Sequence, residues 1–197
     1  STFVAQKRQC SPKPISAKVF DYEPKWMPFV EAMSTSVENC LGDSQSCAFA
    51  TCDIRHPLLD AMNSRCAELV EETDLWVCSY CVAENAQRLR ETDFVFFRDL
   101  FAQAKEGARF VFTETTHRLW PELVDVALEE AGFEVFFPRR RGRGKSGWQL
   151  ILRKRANATI QETEKEQYEV FSKDRSLHEN KVKRGITRSV RKVPGAK

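Results

Sequence analysis

Between residues 17 and 137, short apolar stretches alternate with segments of helical period, and this alternation restricts the possible folds more than any other feature. "AKVFDYEP" reads as a strand over Ala17–Phe20 that ends on acids and Pro24. "KWMPFVEAMSTSVENCLG" follows as a helix, with Gly42 as its terminator. "SCAFATCDIRHP" is a second strand, Cys47–Cys52, ending at Asp53. "HPLLDAMNSRCAELVEE" carries Leu58, Leu59, Met62, Cys66 and Leu69 at helical spacing, and "LWVCSY" is a third strand. "TDFVFFRDLFAQAKEG" puts Phe94, Phe97, Phe101 and Ala104 on one helical face, with Gly107 at C′. "ARFVFTE" is a strand, and "THRLWPELVDVALEEAG" is a helix with Pro121 in its first turn and Gly132 at its end.

Strand–helix alternation predicts a doubly wound α/β fold with a mostly parallel sheet covered on both faces. "FEVFF" and "WQLILR" have no helix between them, so they read as a C-terminal antiparallel hairpin joined by the loop "PRRRGRGKSG". Residues 156–197 show little apolar periodicity. They read as a charged, basic, largely disordered tail behind an α/β domain of residues 1–155, with "TIQETEKEQYEVF" as a candidate exposed helix.

The net charge of +3 conceals a strong asymmetry. Residues 1–138 hold 13 Lys/Arg against 22 Asp/Glu, whereas "RRRGRGKSGWQLILRKR" holds 8 basic residues and no acid. Residues 172–197 add 9 basic residues against 2 acids. Clustered positive charge favours an anionic partner, nucleic acid foremost, over a merely solvated surface. Arg139, Arg140, Arg141, Arg143 and Lys145 lie on the glycine-bearing loop, and Lys183, Arg184, Arg188 and Arg191 in the tail. Both groups suit phosphate contacts. The tail could equally serve as a nuclear targeting signal. No run of about 18 apolar residues is present, so the sequence offers no membrane-spanning helix. Seven irregularly spaced cysteines, without a secretory h-region at the start, read as reduced thiols in an intracellular protein, nuclear, nucleolar or cytoplasmic.

Ligands of open α/β sheets bind beyond the carboxyl ends of the strands. The residues there are Asp21, Asp53 with Ile54, Ser79 and Tyr80 with Glu84, and Glu114. A carboxylate at one strand end can accept two hydrogen bonds from a ribose diol, and one at the next can accept from an adenine amine. Either acid could instead cap a helix. Cys78 and Cys81 form a CxxC pair across the third strand end. One such pair lacks the second ligand pair of a structural zinc site, so it reads as a pocket wall, and no metal is expected.

"VFDYEPKW", "ATCDIRHPL", "DLWVCSYCVAEN", "FFRDLFAQAKEGARFVFTE" and "LVDVALEEAGFEVFF" together resemble class I S-adenosylmethionine-dependent methyltransferases over roughly residues 1–155. "SYCVAEN" and "FFRDLFAQAKEGARFVF" look most like ribosomal-RNA uridine-N3 methyltransferases. The resemblance implies a Rossmann-like fold and S-adenosylmethionine as cofactor. Asp21 would hold its ribose, Asp53 and Ile54 would flank the adenine, and Ser79 would sit at the methionine end. Tyr80, Glu84 and Glu114 would be the catalytic candidates. The family's glycine-rich turn after its first strand has no counterpart, since the first glycine is Gly42. An upstream segment carrying that turn is therefore expected. The implied function is methyl transfer to RNA, with possible protein partners in a ribonucleoprotein complex. A catalytically inactive RNA-binding scaffold and a protein methyltransferase are the alternatives.

Overall fold

The computed structural model describes residues 15–41, 45–138 and 147–183. They divide into two compact units, one ending at Leu69 and the other beginning at Val70.

The first unit is built on a strand–helix–strand crossover. β1 (Ile15–Asp21) leads through helix α1 (Met27–Leu41) to β2 (Gln45–Thr51), which runs parallel to β1. Parallel neighbours need such a connection, and α1 supplies it by burying Val30 and Ser34. The Cys47 amide donates to Ser34 Oγ at 3.3 Å, tying the helix to the start of β2. After β2 the chain does not form the long helix that its apolar spacing predicts. Residues 61–63 make a 3₁₀ turn, and α2 is a single turn, Ser64–Ala67.

The second unit carries a mixed four-stranded sheet. β3 (Leu75–Ser79) is parallel to β4 (Arg109–Glu114). β6 (Trp148–Lys154) pairs antiparallel with β4 and also with β5 (Phe133–Phe136), giving the order β3-β4-β6-β5. The helices of this unit are α3 (Ala86–Glu91), α4 (Val95–Gln103), α5 (Trp120–Glu130) and α6 (Glu162–Lys183). The sequence predicts one doubly wound sheet, whereas the described residues form a parallel pair and a separate mixed sheet. Among the described residues, no strand pairs with the outer edge of β1 or of β3.

Phenylalanine dominates the core of the second unit. The two-residue period of β4 sends Phe110, Phe112 and Glu114 to one buried face. There Phe101 meets Phe110 at 5.1 Å and Phe133 at 5.2 Å, and Phe97 meets Phe112 at 5.8 Å. Such edge and tilted contacts suit the aromatic quadrupole. Lys154 Nζ donates to the carbonyls of Phe101 and Ala102 at 2.8 and 2.7 Å, satisfying the carboxyl end of α4 with a cation. Burial pushes its ammonium below the usual lysine range. Gly107 lies beyond the end of α4, not at its C′ position, and its φ of +83° is the reason for a glycine there.

Within the expected tail, residues 162–183 form helix α6, which takes in most of the candidate helix over 159–171 and packs on the second unit through residue 175; residues 184–197 lie outside the described residues. Phe171 is 4% exposed, with ring centroids 4.5 Å from His117, 5.1 Å from Phe137 and 5.7 Å from Trp148. Tyr168 donates to Asp125, and burial together with that carboxylate pushes its phenol up to about 12. His117 Nε2 lies 3.1 Å from Asp174, and Arg175 lies 3.5 Å from Glu122, which Arg90 also holds through two hydrogen bonds. Composition suggested disorder because few apolar residues are present. Phe171, facing three aromatic rings, is the main apolar contact that the described helix makes.

Candidate functional site

In the first unit, the register pairs Asp21 with Thr51, so the two acidic strand ends are neighbours. The Asp21 backbone carbonyl accepts from the Cys52 amide at 3.0 Å, extending the pairing one step. Asp21 Oδ1 accepts the Glu23 amide at 2.8 Å in a local turn, and the residue remains half-buried. Glu23, not Asp21, caps the following 3₁₀ turn.

Asp53 is 4% exposed and is organised by two residues that the sequence did not single out. Asn63, fully buried, accepts the Asp53 amide at 2.7 Å and donates to the carbonyls of Asp53 and Pro57 at 3.0 and 2.9 Å. This one side chain fixes the loop after β2. Arg55 claims the carboxylate. Its amide and Nε donate to Oδ1 at 2.9 and 2.8 Å, and its Nε and Nη2 donate to Oδ2 at 3.0 and 2.6 Å. Three Arg55 nitrogens thus engage both oxygens, with Nε shared between them, and take up most of the carboxylate's roughly four acceptor positions. Burial alone would raise the Asp53 carboxyl, but the Arg55 hydrogen bonds and charge outweigh it and hold the group below its ordinary range. The Arg55 guanidinium also lies 5.1 Å from the centroid of the Tyr22 ring. An adenine amine would therefore compete with Arg55 for the Asp53 carboxylate. The signal was present in the Asp-x-Arg spacing, whereas nothing in the sequence marks Asn63.

In the second unit, β3 ends at Ser79, paired with Thr113, and the chain turns sharply at Tyr80. Tyr80 has a φ of +58°, rare for a residue with a bulky side chain. Its amide donates to the Thr113 carbonyl at 2.8 Å, and 48% of its surface is exposed. A methyl group added at Gly147 would lie 2.8 Å from the Glu114 carbonyl oxygen and 3.1 Å from the Tyr80 hydroxyl. Glycine there lets the Tyr80 hydroxyl approach the start of β6.

Glu114 is 1% exposed. Its Oε1 accepts the Val82 amide at 2.7 Å, with further amide hydrogen bonds from Ala83 and Cys81. Burial is the main reason its carboxyl is pushed up; the amides oppose the shift and the charge of Glu84 adds to it. Glu114, a catalytic candidate by sequence, thus holds three backbone amides of the turn. A carboxylate on the phenylalanine face of β4 holds the turn that follows Tyr80. Glu84 is exposed in that same turn.

The CxxC pair, expected as a pocket wall, has its two sulfurs in contact. Cys78 Sγ and Cys81 Sγ lie 3.0 Å apart, both half-buried. The left-handed backbone at Tyr80 folds the corner back, so that position 81 returns to the face of position 78. Among the described residues, no group of three or more His, Cys, Asp or Glu side chains could hold a metal ion, and no helix is long and apolar enough to cross a membrane. Arg139, Arg140, Arg141, Arg143, Lys145, Arg184, Arg188 and Arg191 lie outside the described residues, and Lys183 is the last residue of α6.

No family model matches the sequence, and no curated protein matches it. Among solved structures, a SAM-dependent methyltransferase of Methanosarcina mazei is similar at 13% identity and a TM-score of 0.49, covering 74% of this chain and 84% of its own. A predicted O-methyltransferase of Agrobacterium tumefaciens aligns at 13% identity and 0.46, over 73% of this chain and 64% of its own. A 16S rRNA N2 methyltransferase of T. thermophilus, in complex with AdoMet and guanosine, aligns at 14% identity and 0.35, over 75% of this chain and 37% of its own. At these scores the likeness carries no functional argument, and the case for a function rests on the chain's own residues.

Proposed function

We propose that this chain is a methyltransferase-like domain that binds S-adenosylmethionine and acts on RNA. The observation that carries the reading is the pair of acids at neighbouring carboxyl ends of parallel β1 and β2, Asp21 and Asp53. Asp21 fits a ribose diol, because its carboxylate is half-buried and turned by its own loop. Ile54, half-buried beside Asp53, offers an apolar contact for the purine. Bound cofactor would supply an electrophilic methyl group on sulfur. The chain's residues would orient the acceptor and exclude water. Ser79, in the second unit, is exposed at the end of β3. Tyr80, half-exposed, would offer an aromatic face and a hydroxyl to a planar base, exposed Glu84 would receive a proton, and Glu114 holds their turn.

The RNA half of the reading rests on charge. Gly147, against which the Tyr80 hydroxyl packs, directly follows the segment carrying Arg139, Arg140, Arg141, Arg143 and Lys145. A second basic cluster, Lys183, Arg184, Arg188 and Arg191, follows α6. Binding through these residues should fall steeply with added salt. A ribosomal RNA base, and with it a nuclear or nucleolar location, is the finer form of the proposal. One observation favours a second reading, an inactive RNA-binding scaffold. Arg55 engages both oxygens of the Asp53 carboxylate.

Calorimetric titration with S-adenosylhomocysteine separates the two. Micromolar binding that Asp21→Ala abolishes supports the methyltransferase. Salt-sensitive RNA binding without any S-adenosylhomocysteine binding supports the scaffold. Deleting residues 184–197 should weaken RNA binding and leave S-adenosylhomocysteine binding intact.

A further inference from the structure

We infer that Cys78 and Cys81 are a reversible dithiol–disulfide site that sets the conformation of the Tyr80 corner. The two sulfurs lie 3.0 Å apart, and a disulfide needs about 2.05 Å. Closing the bond therefore requires a contraction of about 1 Å. Both residues are half-buried, shielded but within reach of a small oxidant. The approach is created by the backbone. Tyr80 sits in the left-handed region, and its amide is held by the Thr113 carbonyl on the neighbouring strand. The turn beyond is fixed by the buried Glu114 carboxylate through the Cys81, Val82 and Ala83 amides. Two rigid anchors thus hold the thiols together on either side of a strained residue.

This arrangement differs from that of a thiol–disulfide exchange enzyme. In such enzymes the amides at the start of a helix stabilise a thiolate. Here the amides of residues 81–83 are already committed to a carboxylate. The pair therefore behaves as a two-position switch and not as an exchange catalyst. The oxidant is a hydroperoxide. One thiol loses its proton and attacks the peroxide oxygen, giving a sulfenic acid and water. The second thiol then attacks the sulfenic sulfur, and the departing hydroxide takes up the remaining proton as water. Overall, two thiols and one hydrogen peroxide give one disulfide and two waters, and a small dithiol reverses the change. The bond would tie residue 78 to residue 81 and fix the backbone on which Tyr80 is displayed. Transient, sensing disulfides of this kind are those that reducing compartments allow.

That oxidation alters substrate binding rests on Tyr80 being the substrate platform; that the disulfide forms does not. The experiment treats the full chain with hydrogen peroxide, blocks the remaining thiols and cleaves after glutamate. Cleavage at Glu72 and Glu84 releases residues 73–84, which contain Cys78 and Cys81 and no other cysteine. The expected result is a peptide lighter by two hydrogens, formed at least about tenfold faster than exposed Cys40 is oxidised. Dithiothreitol should restore it. In Cys81→Ala the bridge cannot form, and a sulfenic acid at Cys78 should become trappable by dimedone. Peptide 73–84 keeping two alkylatable thiols while Cys40 oxidises would overturn the proposal. So would oxidation of the pair straight to sulfinic acid. S-adenosylhomocysteine titration of the reduced protein runs alongside. Its failure removes the methyltransferase reading and leaves the mapped disulfide standing.

Discussion

Phe171→Ala tests whether α6 is a docked element or part of the cooperative core. The ring is almost wholly buried and meets His117, Phe137 and Trp148 within 5.7 Å. Truncating a buried phenylalanine costs about 3–5 kcal/mol, from lost transfer energy plus the cavity left behind. The remaining ties are the Tyr168–Asp125 hydrogen bond and the pairs His117–Asp174 and Arg175–Glu122. Partly exposed pairs like the last two contribute about 1 kcal/mol or less each. A polar helix of this length is marginal once undocked. The truncation therefore removes most of what holds α6, while the phenylalanine core around β4 keeps its own contacts. At about 1.4 kcal/mol per tenfold change, local opening of α6 should increase by roughly two to three and a half powers of ten. Native-state hydrogen exchange is the assay. The α6 amides should lose protection by that factor, and those of β4 and β6 should not change. Unchanged protection in α6 would show that Phe171 is not the anchor. Equal loss in the sheet would show that helix and sheet unfold as one body.

Gly147→Ala places a methyl group 2.8 Å from a backbone oxygen, which can yield only by moving the end of β4. A loss of about 1–3 kcal/mol in denaturant unfolding is expected, with a changed near-ultraviolet signal from Tyr80. Glu114 has a carboxyl raised chiefly by burial, so the native state keeps that proton to higher pH than the unfolded chain, whose value is near 4.5. Its contribution to stability is thus fully present below 4.5 and declines as pH rises through the native value. Glu114→Gln should flatten the pH dependence of stability above 4.5, and an unchanged slope would refute the assignment. Asp53 has the opposite sign. Arg55 holds its carboxyl below the ordinary 3.8, and the resulting stability is present above that value and lost as pH falls below it. Arg55→Ala should cost about 1–3 kcal/mol at neutral pH, the lower end being favoured because Arg55 is partly exposed. The cost should shrink in acid, as denaturation at two pH values would show.

The sequence by itself determined the order of the six strands and the helices over 27–41, 95–103 and 120–130, because periodicity depends only on which side chains can be buried together. It marked β1, β2, β3 and β4 with their acidic or polar ends, and the phenylalanine face that α4 presents. It could not determine which strand edges meet, since pairing depends on partners distant in the chain; hence the expected single sheet is a parallel pair and a mixed sheet. It offered an exposed helix over 159–171, whereas the helix runs from 162 to 183 and one buried ring, Phe171, supplies a docking contact. Asp53 was visible as an acid at a strand end, but only the fold shows its carboxylate engaged by Arg55 and its loop pinned by Asn63. Glu114 was visible as a candidate for chemistry, and the pleat of β4 turned it inward. Cys78 and Cys81 were visible as a motif. Their 3.0 Å approach arises from the left-handed turn at Tyr80, a conformation no side-chain pattern encodes, because it is imposed by Thr113 and Glu114 from a neighbouring strand.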